Sequence, residues 1–190
     1  MNVNRDGASW LVGTDADIAW IDAFTTIDVT ITSAIPPGYD AYATVVLPEN
    51  REEQQRHDHA VVALLSQHSS DQRWWLGYLD TGGDDIVFPE TPTVTLYADW
   101  SYVLVQAGPD QAASWRKSEF RPYRLSLLPD LIFPIDRSWL VSTLWDDDWT
   151  CIGGPVALVD GFLDHPDLGP RTRQVASLNE DATPPGHHAI

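Results

Sequence analysis

Two short acidic runs carry the side chains most able to do chemistry. Asp80, Asp84 and Asp85 fall in the segment Asp80-Thr81-Gly82-Gly83-Asp84-Asp85, and Asp146, Asp147 and Asp148 are consecutive. Each run follows a Trp-bearing apolar stretch, and Trp100, Trp145 and Trp149 stand beside acidic residues. Three chemistries suit such a pattern. Carboxylates can ligate Mg²⁺ or Ca²⁺, which take oxygen donors. Neither run has the spacing of an EF-hand loop, however, and consecutive Asp residues on a strand cannot all turn to one ion. Two carboxylates in a cleft can perform acid and base steps on a sugar, with indole faces stacking on the substrate. Carboxylates beside aromatic anchors can also dock Arg and Lys side chains of a partner protein. Against all three stands the reading of solvated turns, where Asp is common because it bonds its own backbone.

Other reactive side chains offer less. Cys151 is the single Cys, which excludes an intramolecular disulfide and a Cys-based zinc site, and it lies between Thr150 and Ile152 in an apolar stretch that suits inert packing. His57 and His59 are two apart, so a helix turns them to different faces and they make no metal pair. No Gly-x-Ser-x-Gly elbow, phosphate loop or dinucleotide fingerprint is present. No cofactor or metal is implied.

The balance of charge narrows the partners. The chain has 190 residues with 28 acidic and 11 basic side chains, a net charge of −17, and Lys117 as its only Lys. A field of that sign repels phosphate backbones and anionic lipid, so nucleic acid and membranes are not expected partners, whereas basic proteins are attracted. The same charge also serves solubility or a salty cytoplasm. The bias to Asp and Arg resembles that of proteins from GC-rich bacterial genomes, and no motif ties the chain to a family. No apolar run reaches the ~20 residues of a membrane span. The polar, acid-containing start Met1-Asn2-Val3-Asn4-Arg5-Asp6 does not read as a signal peptide, so the expected address is the cytoplasm.

The elements that must position these residues follow from periodicity. Strands are predicted at 9–13, 27–31, 39–47, 74–79, 86–88, 93–97, 102–106, 138–145 and 149–152. Thr14 is placed to cap a helix with Ile18, Trp20, Ile21 and Phe24 on its apolar side. The clearest helix spans 49–68, with Ala60, Val61, Ala63, Leu64 and Leu65 as its buried stripe. Pro109 to Trp115 suits a short helix, and a further one runs from Gly153-Gly154-Pro155 to about Asp164. Trp10, Trp74, Trp75 and Trp139 are expected in the core, and Trp100, Trp145 and Trp149 on a recognition surface. The recurrence of Ser9-Trp10-Leu11-Val12 as Ser138-Trp139-Leu140-Val141 is read as two buried strand starts, not as a repeat.

The expected fold is α+β, a mainly antiparallel sheet with two principal helices packed on one face. Residues 1–178 would form a single domain and 179–190, rich in Pro, Gly and His, a flexible tail. The function most consistent with these residues is a small acidic binding protein without catalytic activity. It would dock a basic partner, as immunity or antitoxin proteins do, through Trp100, Trp145, Asp146, Asp147, Asp148, Trp149, Asp80, Asp84 and Asp85. The alternative is an enzyme with a Trp-lined pocket, using carboxylate acid/base or metal-assisted chemistry on a sugar or other small polar substrate.

Overall fold

A computed structural model describes residues 1–69, 71–81, 88–116, 127–144 and 147–184. Within them ten strands hydrogen-bond into one antiparallel sheet: β1 (Asn2–Arg5), β2 (Ala8–Val12), β3 (Ala41–Val46), β4 (Trp74–Leu79), β5 (Val94–Leu96), β6 (Trp100–Ala107), β7 (Leu131–Pro134), β8 (Leu140–Ser142), β9 (Trp149–Gly154) and β10 (Thr172–Val175). The order across the sheet is β1-β2-β6-β4-β7-β8-β9-β3-β10, and β5 pairs with the same edge of β6 as β2, further along. With helices α1 (Asp15–Asp22), α2 (Arg51–Ser69), α3 (Pro109–Ser114) and α4 (Val156–Asp164), the fold is α+β, as the sequence pattern implies.

Both faces of the sheet are covered. On one, Ala60, Val61, Leu64 and Leu65 of α2 and Leu158 and Phe162 of α4 meet Trp74, Leu76, Val103, Val105, Ile132 and Ile152. The two principal helices therefore share a face. On the other, Ile18 and Ile21 of α1 and Ile31, Ala34 and Ile35 meet the alternate strand residues Trp75, Leu79, Tyr102, Leu104, Phe133 and Cys151. Central strands buried on both sides read as continuous apolar runs, which explains Trp74-Trp75-Leu76-Gly77-Tyr78-Leu79. Gly77 is required there, because a Cβ would come within 2.8 Å of the Leu131 side chain on the neighbouring strand.

Local chemistry sets the element ends. The Asp17 carboxylate accepts the backbone N–H of Thr14 at 2.8 Å and its hydroxyl at 2.9 Å, fixing the start of α1. Asn50 caps α2 through its side-chain oxygen, which accepts the Glu53 N–H at 2.9 Å. The β1–β2 hairpin turns at Asp6 (φ 52°) and Gly7 (φ 74°), a left-handed pair that Asp-Gly favours.

Several expectations are corrected. Residues 27–31 form no strand: Thr26, Asp28 and Thr30 hydrogen-bond locally, and only Ile31 is buried. Phe24 lies beyond the end of α1 and is exposed. The strand expected at 138–145 shortens to Leu140–Ser142. The strand β7 at Leu131–Pro134 was not anticipated, and its Pro closes the strand where the N–H is dispensable. Arg116, placed in a polar loop by its neighbours, is buried in an ion pair with Asp130. Within 179–190, Ala182 is buried, its N–H bonds Val29 O at 3.0 Å, and Glu180 pairs with Arg173 at 2.5 Å. The remainder of that segment, 185–190, lies outside the described residues, as does most of the strand expected at 86–88. Trp10 is only partly buried whereas Trp139 is fully buried, so the two Ser-Trp-Leu-Val segments occupy different environments.

Candidate functional site

The antiparallel order places Asp80, Asp147 and Asp148 at one end of the sheet. β4 and β8 point the same way with β7 between them, so their ends lie about 10 Å apart at strand spacing. Asp80 follows β4 and Asp147 and Asp148 precede β9. Sequence alone could not establish this proximity, because the two runs are far apart along the chain.

At that end, on the α1 face, a cleft of about 460 Å³ opens between three pieces of chain. One wall is Asp22, the last residue of α1, with Thr25 through Thr30. The second is the β5–β6 turn, with Tyr97, Ala98 and Trp100, and the third is Leu144, Asp147, Trp149 and Cys151 around the β8–β9 connection. Ala182 and Thr183 close it from the C-terminal side. Its carboxylates are Asp22, Asp28 and Asp147, and no Lys, Arg or His is among its described lining residues.

Each wall is fixed by its own bonds. The Asp28 carboxylate accepts the Thr26 hydroxyl at 2.7 Å, and the Thr30 N–H at 2.8 Å and hydroxyl at 2.6 Å. Burial pushes the Asp28 carboxyl up, but the hydrogen bonds from Thr30 and Thr26 outweigh it and hold the group below the usual carboxylate range. The β5–β6 turn carries two non-glycine residues in the left-handed region, Tyr97 (φ 56°) and Asp99 (φ 61°). Such a conformation is uncommon for a bulky residue and persists only where surroundings enforce it. Here the Tyr97 hydroxyl donates to Ala34 O at 2.9 Å and lies 2.8 Å from Ser142 Oγ, pinning the turn across the sheet. Burial raises the Tyr97 phenol, so it stays neutral. Burial, with the Asp147 charge adding to it, likewise raises the Cys151 thiol, which suits packing and not nucleophilic attack.

The structure brings Trp100, Asp147 and Trp149 together in this cleft and leaves other expected residues outside it. Trp149 contributes only an edge, since it is 7% exposed, and is therefore a buried wall where an exposed anchor was expected. Asp80 is half-buried, with its N–H donating to Ser101 O at 2.8 Å, and it does not line the cleft. The Asp148 carbonyl accepts the Leu47 N–H at 2.8 Å, joining the β8–β9 connection to the end of β3. Asp84, Asp85, Trp145 and Asp146 lie outside the described residues. Sequence reasoning missed Asp22, Asp28, Ile27, Val29 and Tyr97. The run Thr25-Thr26-Ile27-Asp28-Val29-Thr30 held the signal: Asp among Thr residues favours local turns over a strand.

Among the described residues no three His, Cys, Asp or Glu side chains converge as a metal site. No described helix is long and apolar enough to cross a membrane. No known protein family, curated protein or solved structure matches the chain.

Proposed function

We propose that this chain is a small acidic cytoplasmic binding protein that docks a basic protein partner at the loop end of its sheet, in the manner of an immunity or antitoxin protein. One observation carries the reading. The lip of the acidic cleft exposes two large apolar side chains two residues apart: Ile27 is 93% exposed and Val29 52%. Scattered apolar residues are ordinary on a surface, but a contiguous group beside a charged cavity is the usual composition of a recognition patch. The lip is also pre-ordered by the Asp28 hydrogen bonds, which lowers the entropy lost on docking.

The catalytic alternative draws support from cavity size, since small-molecule sites span about 300–1,000 Å³. General acid catalysis, however, favours a carboxyl kept protonated near neutral pH, and Asp28 is shifted the opposite way. Docking accounts for both the lip and the charge.

The test is capture from host lysate by wild-type protein and by the double variant Ile27→Asp/Val29→Asp, each at low and high salt. A basic protein retained by wild type at low salt, shed at high salt and lost with the double variant is the expected result. Retention of the same proteins by both forms overturns the reading.

A further inference from the structure

The inner cleft asks what a docked partner would place there. Behind the apolar lip, Asp22, Asp28 and Asp147 surround a cavity walled by Tyr97, Trp100 and the edge of Trp149. Two features mark it as built for a positive charge. Asp22 is the last residue of α1, where the helix dipole disfavours a negative side chain, and α1 has no basic residue in its last turn. No Lys, Arg or His is among the described residues that line the cavity.

We propose that the cleft receives one arginine side chain presented by the basic partner, with its guanidinium against Trp100 and its N–H groups directed at Asp22 and Asp147. This deepens the docking reading and rests on it. Arginine suits the walls better than lysine for stated reasons. A guanidinium is planar and stacks on an aromatic face, pairs with carboxylates through two parallel bonds, and is more weakly hydrated than an ammonium. Its five N–H donors offer bonds to both Asp22 and Asp147, which stand on different walls of the cavity. A cavity of about 460 Å³ exceeds what one side chain fills, leaving room for the flanking backbone of a loop. The apolar lip would then contact the residues on either side of that arginine.

The probe is the capped peptide acetyl-Gly-Leu-Arg-Leu-Gly-amide, alongside counterparts with Lys or neutral citrulline at the central position. Binding to the full chain is read from the indole N–H resonances of its nine Trp residues. The arginine peptide is expected to move the Trp100 and Trp149 signals, with the lysine peptide about 5-fold weaker and the citrulline peptide at least about 10-fold weaker. Asp22→Asn combined with Asp147→Asn should weaken the arginine peptide about 10-fold while leaving the other indole signals in place, which reports an intact fold. If the pair fails to fold, Asp22→Asn alone, at an exposed position, carries the test.

No movement of Trp100 or Trp149, or equal binding of the citrulline peptide, overturns the arginine seat. Equal binding of lysine and arginine overturns the guanidinium assignment. Ethylguanidinium binding as tightly as the peptide overturns a peptide-presented arginine in favour of a free small cation. Lip-dependent capture of a basic protein, found together with a failed peptide experiment, would overturn the arginine seat and leave the docking reading standing. Loss of both would remove the reading itself.

Discussion

On one face of the sheet, α2 and α4 lay down two regular apolar stripes; on the other, a single short α-helix is followed by residues 23–39, irregular but for a 3-10 turn at Ile31–Ser33. The helices satisfy their own backbone bonds and leave side chains to interdigitate, as where Trp74 and Trp139 meet edge to face with centroids 5.2 Å apart. Irregular chain must bond its backbone through side chains and turns, and Thr26, Asp28, Thr30 and Thr32 are spent on that. The polar layer so formed does not close over the sheet end, and the cleft sits where it stops. The same contrast appears in the charges. Asp130 on the helix-covered side is buried, paired with Arg116, and accepts the Leu79 N–H at 2.8 Å, whereas Asp22 of the cleft is exposed.

If this contrast is right, truncating Trp139, which is 0% exposed, should destabilise the protein by about 4 kcal/mol, while Trp100→Ala on the cleft should lose only about 1 kcal/mol. Chemical denaturation of both variants checks it, and similar losses would erase the distinction between the faces. Asp130→Ala strands the Arg116 guanidinium in the interior and should remove about 3 kcal/mol, measured the same way.

A third break tests the helix-covered face by pH. His57 is 1% exposed, and burial, aided by the Arg171 charge, pulls its pKa down to about 3. The unfolded chain therefore binds a proton that the folded chain refuses between the ordinary histidine range and that value. Stability is full above the unfolded pKa and falls as pH drops below it, by about 2 kcal/mol between pH 7 and pH 5. Melts of wild type and His57→Gln across that range should diverge by this amount, and parallel curves would refute it. The smallest effect sharpens the other side: Asp22→Asn should raise stability by about 0.3–1 kcal/mol by relieving the C-terminus of α1, while weakening the arginine peptide. A variant that lost stability would show that Asp22 serves the fold.

Periodicity carried the elements whose faces are regular. The α2 stripe, the β5–β6 hairpin around Ala98-Asp99 and the α4 helix ended by His165-Pro166 all follow from patterns local to the chain. The opening β1–β2 hairpin was equally legible in Asp6-Gly7, a turn signal that the polar start obscured. Residues 27–31 misled because their alternation matches a strand, whereas Asp28 bonds Thr26 and Thr30 locally and the segment forms only an isolated bridge, Thr30 to Asp181.

The sequence by itself determined the fold class, the charge and the residue types of the site, because side-chain period and composition are properties of neighbours in the chain. Only tertiary structure decided which acids meet. Asp22, Asp28 and Asp147 line one cleft because an antiparallel sheet returns β8 and β5 to one end and the segment after α1 crosses over them. That arrangement depends on contacts distant in sequence, whose pairing no local pattern encodes.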